Sequence, residues 1–152
     1  MAVKNVLVVG GGITGCVAAV SLAQRGVKVT LVEKAHQWYG VGHGITLQGN
    51  ALKVFNLIGA FDKMAEKGCG FNDLETFTAD GHRIARMPIA QAGGPELPAT
   101  MGALRSDIQT VLVDMIHELG VEVRLGTELT GYTNNANDVT AHLSDGSNDN
   151  FD

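Results

Sequence analysis

The sequence predicts an α/β fold in which a parallel sheet carries inserted antiparallel hairpins. Three observations predict it. An apolar strand runs directly into a glycine-rich turn and a small-residue helix; a long amphipathic helix stops at a glycine and leads into a further apolar strand; and turn-forming dipeptides separate short alternating runs. Length and composition suit one domain. A chain of 152 residues, 45% hydrophobic and 18% charged, is ordinary globular material, able to bury roughly two thirds of its unfolded surface.

The elements follow in order. Val6, Leu7, Val8 and Val9 make the first strand, and Gly10-Gly11-Gly12-Ile13-Thr14-Gly15 the turn leaving it. Gly10 lets the chain turn sharply, Gly12 removes the side chain that would block a pyrophosphate, and Gly15 lets helix and strand approach closely. The helix then directs its first amides and positive dipole end at the anion. A second strand ends at Glu33, 18 residues past Gly15, near the ~20-residue offset at which an acid accepts hydrogen bonds from an adenosine ribose. The unit is Rossmann-like. A carboxylate there disfavours a 2′-phosphate, so the expected ligand is FAD or NAD(H) rather than NADP(H). The plain alternative is a strand-turn-helix without a ligand.

Asn50 is predicted to cap a helix carrying Leu52, Val54, Phe55, Leu57 and Ile58 that ends at Gly59, followed by a shorter helical piece over Asp62 to Glu66. Leu74 to Ala79 and Arg83 to Met87 flank Asp80-Gly81, a hairpin turn inserted between the strands of the main sheet. Ala90 to Thr100, with Gly93-Gly94-Pro95 and Pro98, is expected to be a loop, and a mobile one. Ser106 and Gln109 have capping-box spacing ahead of a stripe of Ile108, Val111, Leu112, Met115, Ile116 and Leu119, which Gly120 stops. Val121, Val123 and Leu125 are then expected to join the parallel sheet beside the first two strands. Leu129 to Tyr132 and Val139 to Leu143 pair around the Asn134 to Asn137 turn, and Asp145-Gly146 opens the last turn.

Several function classes are excluded. A net charge of -5 does not fit a nucleic-acid footprint. Cys16 and Cys69 are too far apart for a zinc knuckle or a redox pair, and Cys16 reads as a small buried apolar residue. His36, His43, His82, His117 and His142 lack metal-ligand spacing, so no metal is expected. No run reaches the ~18 apolar residues of a membrane span. Lys4 and the stretch to Cys16 loosely imitate a lipoprotein signal, but three glycines would break its apolar helix, and a cytoplasmic setting is expected.

Four blocks then carry a family resemblance. Gly10-x-Gly12-x-x-Gly15 with Glu33-Lys34, Gly42 to Leu52, Leu104-Arg105-Ser106-Asp107-Ile108-Gln109, and Gly120 to Thr127, in that order, resemble single-component FAD-dependent aromatic monooxygenases. The resemblance implies an α/β, Rossmann-like FAD-binding fold of which residues 1–152 are the N-terminal portion, with the substrate domain absent from this chain. Position by position it implies that Gly10, Gly12, Thr14 and Gly15 meet the FAD pyrophosphate and that Glu33, with Lys34 alongside, holds the adenosine ribose. Thr46 would lie along the middle of the flavin dinucleotide. Arg105 would contact its phosphate or ribityl region, Gln109 would reach the ribityl hydroxyls, and Leu129 would touch adenine through its backbone. Each has a plainer reading: Arg105 in a surface ion pair, Gln109 closing a capping box, Thr46 and Leu129 as strand residues.

The resemblance further implies FAD reduced by NADH or NADPH, O2 as co-substrate and one oxygen atom transferred to an aromatic or heteroaromatic small molecule, with no catalytic acid or base in this segment. Gly49 stands where a proline is common, loosening that turn. The strand and Asp-Gly block expected just past Asp152 are missing, so a fragment, a nicked enzyme or a split enzyme completed by another chain or C-terminal segment is expected. A flavin-dependent dehydrogenase or oxidase and a non-catalytic nucleotide-binding subunit are the alternatives.

Overall fold

The computed structural model describes residues 3–38 and 42–152. In chain order the elements are β1 (Asn5–Val9), α1 (Ile13–Ala23), β2 (Lys28–Glu33), β3 (Gly44–Gln48), α2 (Gly49–Leu57), α3 (Phe61–Ala65), β4 (Cys69–Phe71) and β5 (Asp73–Phe77). There follow β6 (Arg83–Pro88), β7 (Thr100–Leu104), α4 (Arg105–Glu118), β8 (Glu122–Leu125), β9 (Leu129–Asn134), β10 (Val139–Leu143) and β11 (Asn148–Phe151). They fall into two compact units, one of Met1–Gly40 with Gln109–Asp152 and one of Val41–Ile108.

The first unit contains a parallel sheet ordered β1-β2-β8. Central strands of parallel sheets are covered on both faces, so their buried positions run on instead of alternating. In β2, Val29, Thr30, Leu31 and Val32 are accordingly all buried. α1 buries Cys16, Ala19 and Val20, spaced three and then one apart on one stripe. A second, antiparallel sheet ordered β11-β10-β9 sets Ala141, Leu143 and Phe151 against Val32, with Leu7 and Leu129 packed alongside. Burial of a Val, Leu or Phe side chain contributes about 1.5–3 kcal/mol, so Val32, Leu143 and Phe151 together outweigh the polar ties between β8 and β11. The ion pair across them joins Arg124 to Asp149 at 2.6 Å, and Arg124 also pairs within β8 with Glu122 at 2.7 Å.

The second unit contains an antiparallel sheet ordered β3-β7-β4 and the β5–β6 hairpin. Leu47, Leu52, Phe55, Met64 and Met101 are buried there. At the ends of α1, α2 and α4 the same device stops the helix. Gly26, Gly59 and Gly120 adopt φ of 77°, 76° and 68°, and the residue after each donates back to a carbonyl five residues earlier. That left-handed terminus is one for which glycine is suited.

Several expectations need correction. Asn50 does not cap α2: the helix starts at Gly49 with Gln48 as its cap residue, and no side chain bonds there. Ser106 lies inside α4, not at its cap, because β7 runs directly into the helix at Arg105. Leu119 is outside α4 and exposed, so the buried stripe ends at Ile116. Thr100 belongs to β7, not to the loop, and its hydroxyl donates to Leu47 O at 2.7 Å. Gly49 has a packing role that its place in the turn did not suggest: a Cβ there would lie 2.7 Å from Gly93 N, so it admits close contact with the Gly93 loop. That contact and the Ala99 N–H bond to Asn72 Oδ1 at 2.8 Å hold the Ala90 to Thr100 stretch against its unit. The turn opened by Asp145-Gly146 is short, since Asn148–Phe151 form β11, which pairs with β10. Sheet β3-β7-β4 was not anticipated, because Thr-Met-Gly-Ala-Leu in β7 has little strand propensity and is made a strand by partners on both sides.

Candidate functional site

The site begins where β1 ends. Gly10 takes φ +100°, a region costly for any residue with a side chain, and its N–H donates to Val32 O at 2.8 Å. This folds the chain across the end of β2 before α1 starts. A Cβ on Gly15 would overlap the Gly10 carbonyl oxygen, so its bareness is what lets α1 come so near the strand. Gly12 differs: nothing lies within 4 Å of a Cβ built on it, and the residue is exposed. The motif thus has two structural glycines and one that faces open space. Cys16 N–H is the first helical amide to find an internal carbonyl, that of Gly12 at 2.9 Å. By helix geometry the amides of the preceding turn point along the axis toward that space.

Gly11 is a glycine whose requirement the sequence reading missed. A Cβ there would lie 2.7 Å from the Trp38 ring and 3.1 Å from Glu33 Cβ. Its peptide groups are gripped on both sides. The N–H donates to Glu33 Oε2 at 2.6 Å, while the carbonyl accepts from Gln109 Nε2 at 2.7 Å and from the Cys16 thiol at 3.2 Å. Glu33 also accepts from Ala35 N–H at 2.9 Å. The amides of Ala35 and Gly11 hold its carboxyl below the usual carboxylate range, so a fixed negative charge stands at the end of β2. Burial pushes the Cys16 thiol up to about 11, which keeps it protonated and a donor.

The remaining expected residues are distributed over both units. Thr14 is exposed in the first turn of α1, and Lys34 is exposed just after β2. Leu129 opens β9 opposite Leu143, with its side chain in the cluster around Val32. Thr46 and Arg105 belong to the second unit. Thr46 is exposed in β3 opposite Gly102, and Arg105 is exposed at the start of α4 with its N–H bonded to His43 O at 3.0 Å. Gln109 is buried, with its amide on Gly11 and 3.3 Å from Cys16 Sγ. Neither the ribityl role nor a capping box had pointed to that bond. A glutamine at a buried helix position facing a glycine-rich turn was the available signal.

Together the bare turn, the helix amides and the acid have the chemistry that an anionic diphosphate next to a hydroxylated sugar requires. FAD fits the chemistry of this set: no atom lies within 4 Å of a Cβ built on Gly12, at the start of the helix, and the Glu33 carboxylate beside it is the kind of acceptor that ribose hydroxyls require. Among the described residues no group of three or more His, Cys, Asp or Glu side chains is placed to hold a metal ion. Nor is any helix among them long and apolar enough to cross a membrane.

Comparison with known proteins agrees. The 3-hydroxybenzoate 6-hydroxylase of Klebsiella oxytoca is 34% identical over 146 residues, and 3-hydroxybenzoate 6-hydroxylase 1 of Aquipseudomonas alcaligenes is 32% identical over 149. These matches cover 91% and 95% of this chain but only 36% and 37% of those proteins. A variant of 2-methyl-3-hydroxypyridine-5-carboxylic acid oxygenase superposes with a TM-score of 0.82 at 25% identity, over 99% of this chain and 38% of that one. The chain therefore spans less than two fifths of the length of the proteins it resembles. The family described as FAD binding domain matches residues 4–151, and the chain belongs to that family.

Proposed function

We propose that this chain is the FAD-holding portion of an NAD(P)H-dependent flavin monooxygenase that hydroxylates an aromatic or heteroaromatic small molecule. One observation carries the reading: the Gly10 to Gly15 turn leaves open space at Gly12, at the helix end toward which the first amides of α1 point, and an ionised Glu33 stands beside it on the Gly11 N–H. FAD, when bound, takes electrons from NADH or NADPH and activates O2, with one oxygen atom passing to the ring and the other leaving as water. This chain's residues bind and orient. Gly10, Gly12, Thr14 and Gly15 receive the diphosphate, Glu33 and Lys34 meet the adenosine ribose, and Leu129 offers backbone groups to the adenine. Thr46 and Arg105 serve the middle of the dinucleotide, where the exposed guanidinium brings a positive charge for phosphate.

The aromatic substrate belongs to the same proposal, supported by the hydroxybenzoate and hydroxypyridine names of the relatives. So does a requirement for sequence outside the matched stretch, in the same polypeptide or a complementing chain, and so does a cytoplasmic location. The test is a flavin fluorescence titration of the purified protein, alone and with its complement, followed by NAD(P)H oxidation in 18O2 with a panel of hydroxybenzoates and hydroxypyridines. FAD binding and one labelled oxygen in the product are expected. Product lacking O2-derived oxygen would make the enzyme a dehydrogenase or oxidase, and absence of FAD binding with every complement would end the flavoprotein reading.

A further inference from the structure

We propose that Gln109 aims the phosphate-binding amide of the glycine turn: by holding the Gly11 carbonyl on the buried side, it directs the Gly12 N–H outward into the open corner. The inference rests on the dinucleotide reading above and goes past it, because Gln109 then acts through the turn and not by touching the ligand.

The geometry is that of one peptide plane. The Gly11 carbonyl and the Gly12 N–H belong to the same peptide, and no described peptide bond is cis, so the two groups point in opposite directions. The carbonyl end is anchored by Gln109 Nε2 at 2.7 Å and the Cys16 thiol at 3.2 Å, both buried. The opposite end therefore faces away from that buried pair. Gly12 is exposed there, with nothing within 4 Å of where its Cβ would be. The preceding peptide is fixed as well, through Gly11 N–H on Glu33 at 2.6 Å. Glycines alone would leave this plane free to flip, since they restrict neither φ nor ψ. Gln109, 98 residues away in the chain, supplies the constraint that the motif lacks.

The protein is prepared flavin-free and FAD-loaded as wild type, Gln109→Met and Gln109→Glu. Methionine matches glutamine in length and donates nothing. Losing one buried hydrogen bond changes an equilibrium constant by about tenfold, so FAD should bind Gln109→Met about tenfold more weakly. The Gly12 amide resonance of the flavin-free protein should shift. In Gln109→Glu a protonated acid can still donate to Gly11 whereas a carboxylate cannot, so FAD affinity should fall as pH rises through that group's range. Wild type should stay flat in the same window. Its neighbouring titratable groups, Glu33 held low and Cys16 at about 11, lie on either side of it.

Equal FAD affinity of wild type and Gln109→Met would overturn the proposal. So would weakened binding with an unmoved Gly12 resonance, since Gln109 would then act by direct contact with the flavin. Should Gln109→Met not fold, the pH series of Gln109→Glu decides alone, and a flat series counts against it. Failure of the wild type to bind FAD would instead sink the cofactor reading, and the Gly12 resonance would still judge this one.

Discussion

Alanine at Gly15 and alanine at Gly12 should fail in opposite ways, although both glycines belong to one motif. At Gly15 the new methyl would overlap the Gly10 carbonyl oxygen. Both partners are main chain, and Gly10 is tied to Val32 O at 2.8 Å with φ +100°, so neither can rotate aside. Overpacking costs typically 1–3 kcal/mol, and a rigid clash belongs at the upper end, about 3 kcal/mol. For a chain of this size that lowers Tm by roughly 6–12 °C. At Gly12 the methyl meets nothing within 4 Å, and φ of -72° suits any residue. A gain of about 0.4–1 kcal/mol from a stiffer unfolded chain is offset by a similar loss in capping. Tm of the flavin-free protein should move by less than about 4 °C. Its methyl would occupy the corner assigned to the diphosphate, weakening FAD roughly 5- to 150-fold if overpacking there costs 1–3 kcal/mol. Differential scanning calorimetry without flavin and fluorescence titration with it separate the two effects. Equal losses of Tm in both variants, or undiminished FAD affinity in Gly12→Ala, would refute the reasoning.

Glu33→Gln should destabilise the flavin-free protein at neutral pH by about 1–3 kcal/mol, because Gly11 and Ala35 amides lose a charged acceptor. The folded carboxyl ionises below its ordinary value, so its contribution is complete above the ordinary carboxylate range and is lost as pH falls through the depressed one. Denaturant midpoints against pH should therefore converge for wild type and variant in acid; a gap that persists there would argue against the bonds. Gly49→Ala should cost about 1–3 kcal/mol, since its methyl would lie 2.7 Å from Gly93 N, and an unchanged urea midpoint would show that the Gly93 loop yields. Thiol titration with a disulfide reagent at neutral pH should count one fast group, the exposed Cys69, and a second only in denaturant, because Cys16 is buried with its pKa near 11. Two fast groups in the native protein would contradict that burial.

The first βαβ device was readable because each part is local. Gly10, Gly12, Gly15 and Glu33 have their roles from φ, from missing side chains and from strand length, and the structure places all four around one corner. The order β1-β2-β8 was readable in part, as a crossover helix obliges the next strand to run parallel. Antiparallel strands β9 and β10 followed from the Asn-rich turn between them. Other assignments went astray where a residue's partner is remote. Asn50 and Ser106 have good capping chemistry, yet α2 and α4 begin earlier because β3 and β7 run straight into them. Strand β7 is weak in propensity and exists through its neighbours.

By itself, then, the sequence determined the bare glycine corner beside Glu33 and the class of fold, since these depend on backbone freedom and spacing along a few tens of residues. Only the tertiary structure decided that Gln109 holds Gly11, that Cys16 is a donor and that Gly49 lies against Gly93. Those contacts join positions 44 to 98 residues apart or fix which way a peptide plane faces, and side-chain type along the chain records neither.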